Sequence, residues 1–112
     1  LSLHDALPIL VDRSLFDLFR SGEITKPAQI LPVLDAFPER RFVLVGDSGE
    51  HDPEVYGRIA RDRPAQVLHV AIRDVSDEDP ASDRMRLAFA GVERHRWTLF
   101  RDPAELRIAL PA

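Results

Sequence analysis

Cysteine is absent from the 112 residues, which removes disulfides, thiolate nucleophiles and zinc–thiolate sites and fits a cytoplasmic protein. No apolar run approaches the roughly 20 residues needed to cross a bilayer, and no stretch reads as a secretory leader. Lysine is scarce: of fifteen basic residues only Lys26 is a lysine. A GC-rich genome gives arginine bias of this kind. A position that keeps lysine against it either needs a compact ammonium in place of a planar fork, or is a surface residue by chance. The net charge of -4 offers no general attraction for nucleic acid. What is present, 45% hydrophobic and 30% charged residues, is the balance of a soluble globular chain. The length suits one domain with one core.

Residues 1–9, LSLHDALPI, resemble one reading frame of a common sequencing adapter. They are therefore expected to be a scar outside the fold, with the domain occupying 10–112 and its true N-terminus lost. Leu10–Asp12 can end a short strand, and Leu15, Phe16, Leu18 and Phe19 form an apolar patch before Ser21-Gly22. A helix over about 28–37 follows from the spacing of Ile30, Leu31, Leu34 and Phe37, with Thr25 as cap and Pro32 as a cost. Phe42–Val45 is a continuous apolar run of the kind buried on both faces of a parallel sheet, and Val67–Ile72, with His69 inside it, is the next strand. Asp52-Pro53-Glu54 predicts a helix start with Asp52 as N-cap, running to about Asp62. Ser76–Asp83 is an acidic loop, Asp83–Arg94 a helix, Trp97–Phe100 a small edge strand, and Asp102 to about Leu110 a last helix. The alternation predicts a three-layer α/β sandwich around a parallel, Rossmann-like sheet.

In such a sheet ligands bind beyond the carboxyl ends of the strands. The segment there is Gly46-Asp47-Ser48-Gly49-Glu50-His51-Asp52-Pro53. A loop of this length can bring Asp47 and Asp52 to one hard cation, and magnesium accepts few carboxylates alongside waters and phosphate oxygens. The same residues can equally be a turn and a helix cap. Glu50 and His51 read as exposed loop residues, with a proton-shuttle role for His51 as the alternative. His69, inside an apolar strand, reads as a satisfied core histidine.

Residues 42–56, FVLVGDSGEHDPEVY, resemble the fourth motif of haloacid dehalogenase-like phosphatases. With the later Ile72-Arg73-Asp74-Val75, they resemble the catalytic domain of the actin-patch-type phosphatidate phosphatases. The likeness is good over about 10–78 and loose beyond. It implies that Lys26 matches the third-motif lysine, which neutralises the nucleophile and the transferred phosphoryl group. Asp47 and Asp52 match the acids that hold Mg2+, directly or through water. Ser48 and Gly49 match the loop beside them, placed near substrate. Arg73 either contacts substrate or pairs with a structural carboxylate, and Asp74 stands beside it.

The family's nucleophile lies in an Asp-x-Asp-x-Thr motif on the first strand. This chain contains no such motif, and its second-motif Ser/Thr is not identifiable. The expectation is therefore an N-terminally truncated fragment, inactive alone, with an open edge on the strand at 42–46. Its parent would hydrolyse phosphate monoesters, phosphatidate at a membrane surface being the implied substrate, through an aspartyl-phosphate formed upstream. The alternatives are a non-catalytic binding or scaffold domain that retains the fold, and a phosphatase for soluble monoesters.

Overall fold

The computed structural model of the chain describes residues 27–106. The expected strand at Leu10–Asp12, the Thr25 cap, Lys26 and the end of the last helix lie outside the described residues. So does the expected boundary between residues 1–9 and the domain.

Helix α1 spans Pro27–Ala36, with Pro32 inside it. The proline is exposed, so the amide it lacks costs a helix bond without burying a polar group. Strand β1 is Phe42–Asp47, helix α2 Asp52–Asp62, strand β2 Val67–Arg73, helix α3 Asp83–Ala88 and strand β3 Trp97–Phe100. Single 3-10 turns occupy Arg94–Arg96 and Pro103–Glu105. The strands form one sheet in the order β1-β2-β3, and both pairings are parallel. This is an α/β fold with a parallel sheet flanked by helices, as the apolar runs predict. Among the described residues β1 has one neighbour, β2. Whether Leu10–Asp12 touches its other edge lies outside them.

One face of the sheet, with Leu44, Val67, Val70, Ile72 and Trp97, packs against Ile30 and Leu34 of α1, Tyr56, Ile59 and Ala60 of α2, and Met85 and Ala88 of α3. The other face buries Val43, Val45, Ala71 and Phe100, with Leu68 and Leu106 against them. All described helices lie on the first face, so of the expected three layers two are seen among the described residues. Gln66 joins helix to sheet: its Nε2 donates to the carbonyls of Leu34 (2.8 Å) and Phe37 (3.1 Å) at the end of α1, as second donors beside the N–H groups of Phe37 and Arg40.

Three sequence expectations are corrected. The helix from Asp83 ends at Ala88, not Arg94. Gly91 turns the chain at φ +82°, Phe89 stacks on Trp97 at 4.4 Å, and Arg61 donates to the carbonyls of Ala88 and Ala90. These contacts supply what a longer helix would have offered. At the other end Ser82 caps α3 through Met85 N–H. The last helix is one 3-10 turn within the described residues. Asp102 and Glu105 close a capping box over it, and Leu106 leaves in extended conformation. Finally, the N-cap of α2 is His51 rather than Asp52, and no side chain caps that end. No helix among the described residues is long and apolar enough to cross a membrane.

Candidate functional site

Strand β1 ends in Gly46-Asp47, and after four intervening residues α2 begins at Asp52. The turn is tight because Gly46 has no side chain. A Cβ there would lie 2.6 Å from the ring of Tyr56 and 2.7 Å from Oδ2 of Asp52. Asp52, freed from capping, turns back instead: its Oδ2 accepts the Asp47 N–H at 3.0 Å. Asp47 in turn accepts the Gly49 N–H through Oδ1 at 2.9 Å, an Asx-type turn. The two carboxylates thus share one loop at the carboxyl edge of the sheet. Tyr56, buried beneath them, has its phenol pushed far up, first by burial and then by Asp52 and Asp47. It stays neutral.

Ser48, 2% exposed, faces inward. Its hydroxyl accepts the Val75 N–H at 2.9 Å and meets Ser76 Oγ at 2.7 Å. It ties the loop after β1 to the loop after β2, and its own N–H continues the ladder to Arg73 O at 2.9 Å. Gly49 is exposed at the loop crest, as are Glu50 and His51. Arg73 is the register partner of Asp47, and register partners on parallel strands project to one face. Half-buried, it makes no ion pair with any described residue. No pairing with a structural carboxylate occurs among the described residues.

Asp74 is that structural carboxylate, but for its own loop. Only 3% exposed, it takes Arg101 Nε at 3.4 Å and the N–H groups of Ser76 and Glu78 at 3.2 and 2.9 Å. Burial pushes its pKa up, yet the two N–H groups and Arg101 outweigh this and hold it below the ordinary value. His69 is a core histidine: buried, with Nε2 2.7 Å from Thr98 Oγ1. Burial first, then Arg96, lowers its pKa to about 4.

Sequence reading missed Arg84. From α3 it reaches Glu54, Glu78 and the main-chain carbonyls of Ser48 and Glu50. An arginine on a short polar helix carries no sequence signal for this, because its partners are remote in the chain.

Magnesium is held by one or two carboxylates with water and phosphate oxygens completing its shell. Asp47 and Asp52 fit that donor chemistry, each having lent one oxygen to a loop amide. No group of three or more metal-capable side chains occurs among the described residues, so the pair is a partial donor set. Lys26, the expected phosphoryl-neutralising residue, lies outside the described residues.

Comparison with known proteins bears on this loop directly. Phosphatidate phosphatase APP1 of Saccharomyces cerevisiae is 48% identical over 60 residues, covering 54% of this chain and 10% of that protein. An uncharacterized protein of Schizosaccharomyces pombe is 34% identical over 64 residues, covering 57% of this chain and 11% of its own length. The chain therefore spans about a tenth of the length of the curated relatives it matches. No solved structure matches. The family model of the phosphatidate phosphatase APP1 catalytic domain matches residues 8–74, which include β1, α2, β2 and the Asp47–Asp52 loop. With more than half its length matched, the chain belongs to the phosphatidate phosphatase APP1 catalytic-domain family.

Proposed function

We propose that this chain supplies part of the active site of a magnesium-dependent phosphatase of haloacid dehalogenase-like type. Its substrate would be a phosphate monoester, phosphatidate, with diacylglycerol as product. The observation that carries the reading is the pairing of Asp47 and Asp52 across one turn at the sheet's carboxyl edge, within the region matched by the family. Asp47 and Asp52 are the residues that would hold Mg2+, which when bound supplies positive charge to the phosphoryl oxygens.

The chain's own residues have separate tasks. The Gly46 turn and the Asp47–Gly49 bond preset the loop, so that little rearrangement is needed on binding. Ser48 anchors that loop to the next one from the inside. Gly49, exposed at the crest, keeps the turn compact, since a Cβ there would lie 3.0 Å from Val75 and 3.2 Å from Asp47 Oδ1. Arg73, beside Asp47 and without a described ionic partner, is suited to a phosphate oxygen through its planar fork. Lys26 carries the family's third-motif role of neutralising the nucleophile and the transferred group. The covalent step, attack of an aspartate on phosphorus followed by hydrolysis of the aspartyl-phosphate, needs an Asp-x-Asp-x-Thr strand upstream of this chain.

The test is to express the chain with its upstream reading frame and measure phosphate release from phosphatidate vesicles and from a soluble monoester. Magnesium-dependent release that Asp47→Asn abolishes supports the reading. Release that persists in chelator, or at normal rate in Asp47→Asn, overturns the metal role. An upstream frame without the nucleophile motif, and no release from either substrate, would favour a non-catalytic domain. Preference for the soluble ester would remove phosphatidate as substrate while leaving the chemistry.

A further inference from the structure

The loop between Asp47 and Asp52 is preset from within by its two aspartates and is also held from outside. The Asp47 and Gly49 N–H groups are satisfied by the two aspartates, and the Ser48 and Glu50 carbonyls each accept a bond from one side chain. Arg84 Nη1 donates to Ser48 O at 2.8 Å and to Glu78 Oε2 at 2.9 Å. Nη2 donates to Glu50 O at 2.6 Å and to Glu54 Oε1 at 3.1 Å. Nε donates to Glu54 Oε2 at 2.8 Å. These five bonds use all the N–H groups a guanidinium has. Two of them grip the carbonyls on either side of Gly49. Two more form a fork onto Glu54, in the same first turn of α2 as Asp52. Arg84 therefore spans both ends of the segment that sets the spacing of the two carboxylates. It stands outside residues 8–74, the stretch the family match covers.

We propose that Arg84 is a positioning residue for the Asp47–Asp52 pair: by clamping the loop carbonyls to the first turn of α2, it fixes the carboxylate spacing and hence their affinity for a divalent cation. This rests on the reading of that pair as cation-holding. Arg84 touches neither carboxylate and would not touch the cation. Its bonds to Glu54 and Glu78 also consume its charge locally, so its effect runs through geometry rather than field. Lysine at this place keeps the charge but has three donors and no fork.

Two amides report the geometry without any assay of turnover, since Asp47 N–H and Gly49 N–H are the groups bonded to the two carboxylates. The experiment uses the 112-residue chain with Arg84→Lys and Arg84→Met, Mn2+ titration followed by electron paramagnetic resonance with Mg2+ competition, and amide hydrogen exchange. In Arg84→Lys, whose retained charge protects the fold, Mn2+ affinity should fall about tenfold, the lower end of the usual effect of a supporting residue. Exchange at Asp47 and Gly49 should quicken while Leu44 and Val70 in the sheet keep their protection. Arg84→Met should show the same pattern more strongly. Arg84→Lys is the deciding variant: affinity and loop exchange within twofold of the parent chain overturn the proposal, as does uniform loss of protection through the sheet. Asp47→Asn separates the two ideas. If it binds Mn2+ as the parent does, the cation reading fails; if it loses Mn2+ while Arg84→Lys does not, only the positioning role fails.

Discussion

Gly57 lies in the middle of α2, where propensity alone recommends alanine. A glycine-to-alanine change in a helix interior usually stabilises by about 1 kcal/mol. Here the opposite is expected. A Cβ on Gly57 would lie 2.9 Å from the carbonyl carbon of Ala88 and closer still to its oxygen. Carbon atoms in ordinary contact sit about 3.5–4.0 Å apart, and the obstacle is backbone, so no rotamer change relieves it. Helix α3 must retreat by on the order of an ångström. Ala88 O is also the acceptor of Arg61 Nη1, and Phe89, next in the chain, stacks on Trp97, so the retreat strains both. Overpacking of this sort costs about 1–3 kcal/mol or more. Set against the propensity gain, Gly57→Ala should be destabilised by about 2 kcal/mol, a fall in Tm of roughly 10 °C for a domain this size.

The assay is urea unfolding of Gly57→Ala beside Arg58→Ala, whose side chain is 80% exposed and should shift stability by less than about 0.5 kcal/mol. Because α3 carries Arg84, the same variant should also loosen the Asp47–Asp52 loop. Stability equal to or above the parent's would show that α2 and α3 do not meet as closely as described, and would remove the steric argument altogether.

Gly46→Ala should cost about 1–3 kcal/mol and, unlike Gly57→Ala, should expose the Asp47 amide to exchange even where the sheet stays protected; unchanged exchange there would refute the role given to this turn. His69 is neutral in the fold with a pKa of about 4, and ordinary histidine titrates near 6.5, so between those values the unfolded chain binds more protons. Stability should therefore fall as pH drops from about 6.5 to 4, by about 2 kcal/mol after discounting for solvent screening; a His69→Gln variant with the same pH slope as the parent would show that the slope arises elsewhere. Inorganic phosphate should bind the chain more tightly with Mg2+ present than with chelator, and Arg73→Ala should weaken that binding; equal affinity in chelator would count against a cation at Asp47 and Asp52.

The sheet was legible because each strand is a short, mostly apolar run, interrupted only by His69 in β2 and Thr98 in β3, and burial of the central strands on both faces demands that composition. Val70, Ala71 and Ile72 are all fully buried. The Asp47–Asp52 loop was legible as a site by its place after β1 and by its motif. Its internal bonding was not. Local rules make Asp52 a cap, yet its carboxylate bonds back to Asp47 N–H because Gly46 leaves the room, a fact about packing across the turn. The helix from Asp83 was overextended because Leu87, Phe89 and Val92 continue an apolar pattern; Leu87 is in fact 66% exposed, and the stop is set by Trp97 and Arg61. Arg84 could not be read at all. Its acceptors stand 6, 30, 34 and 36 positions away, beyond the reach of any local pattern.

Charge at the sheet's edge gives the proposed function its internal logic. Arg84 is answered by Glu54 and Glu78, and Arg101 by Asp74 and Asp77, so neither has charge to spare for a substrate. Asp47 and Asp52 contribute two carboxylates to the loop, and Arg73 is the register partner of Asp47. That balance leaves the loop negative, and a phosphate monoester, itself anionic, would be repelled from it. Under the proposed function, a divalent cation shared by the two aspartates would reverse the sign, turning a repelling edge into an attracting one. The same arithmetic explains why a lysine, in a chain otherwise built from arginine, would suit the remaining phosphoryl oxygens: a compact ammonium adds charge where a planar fork would compete with the cation for the same face.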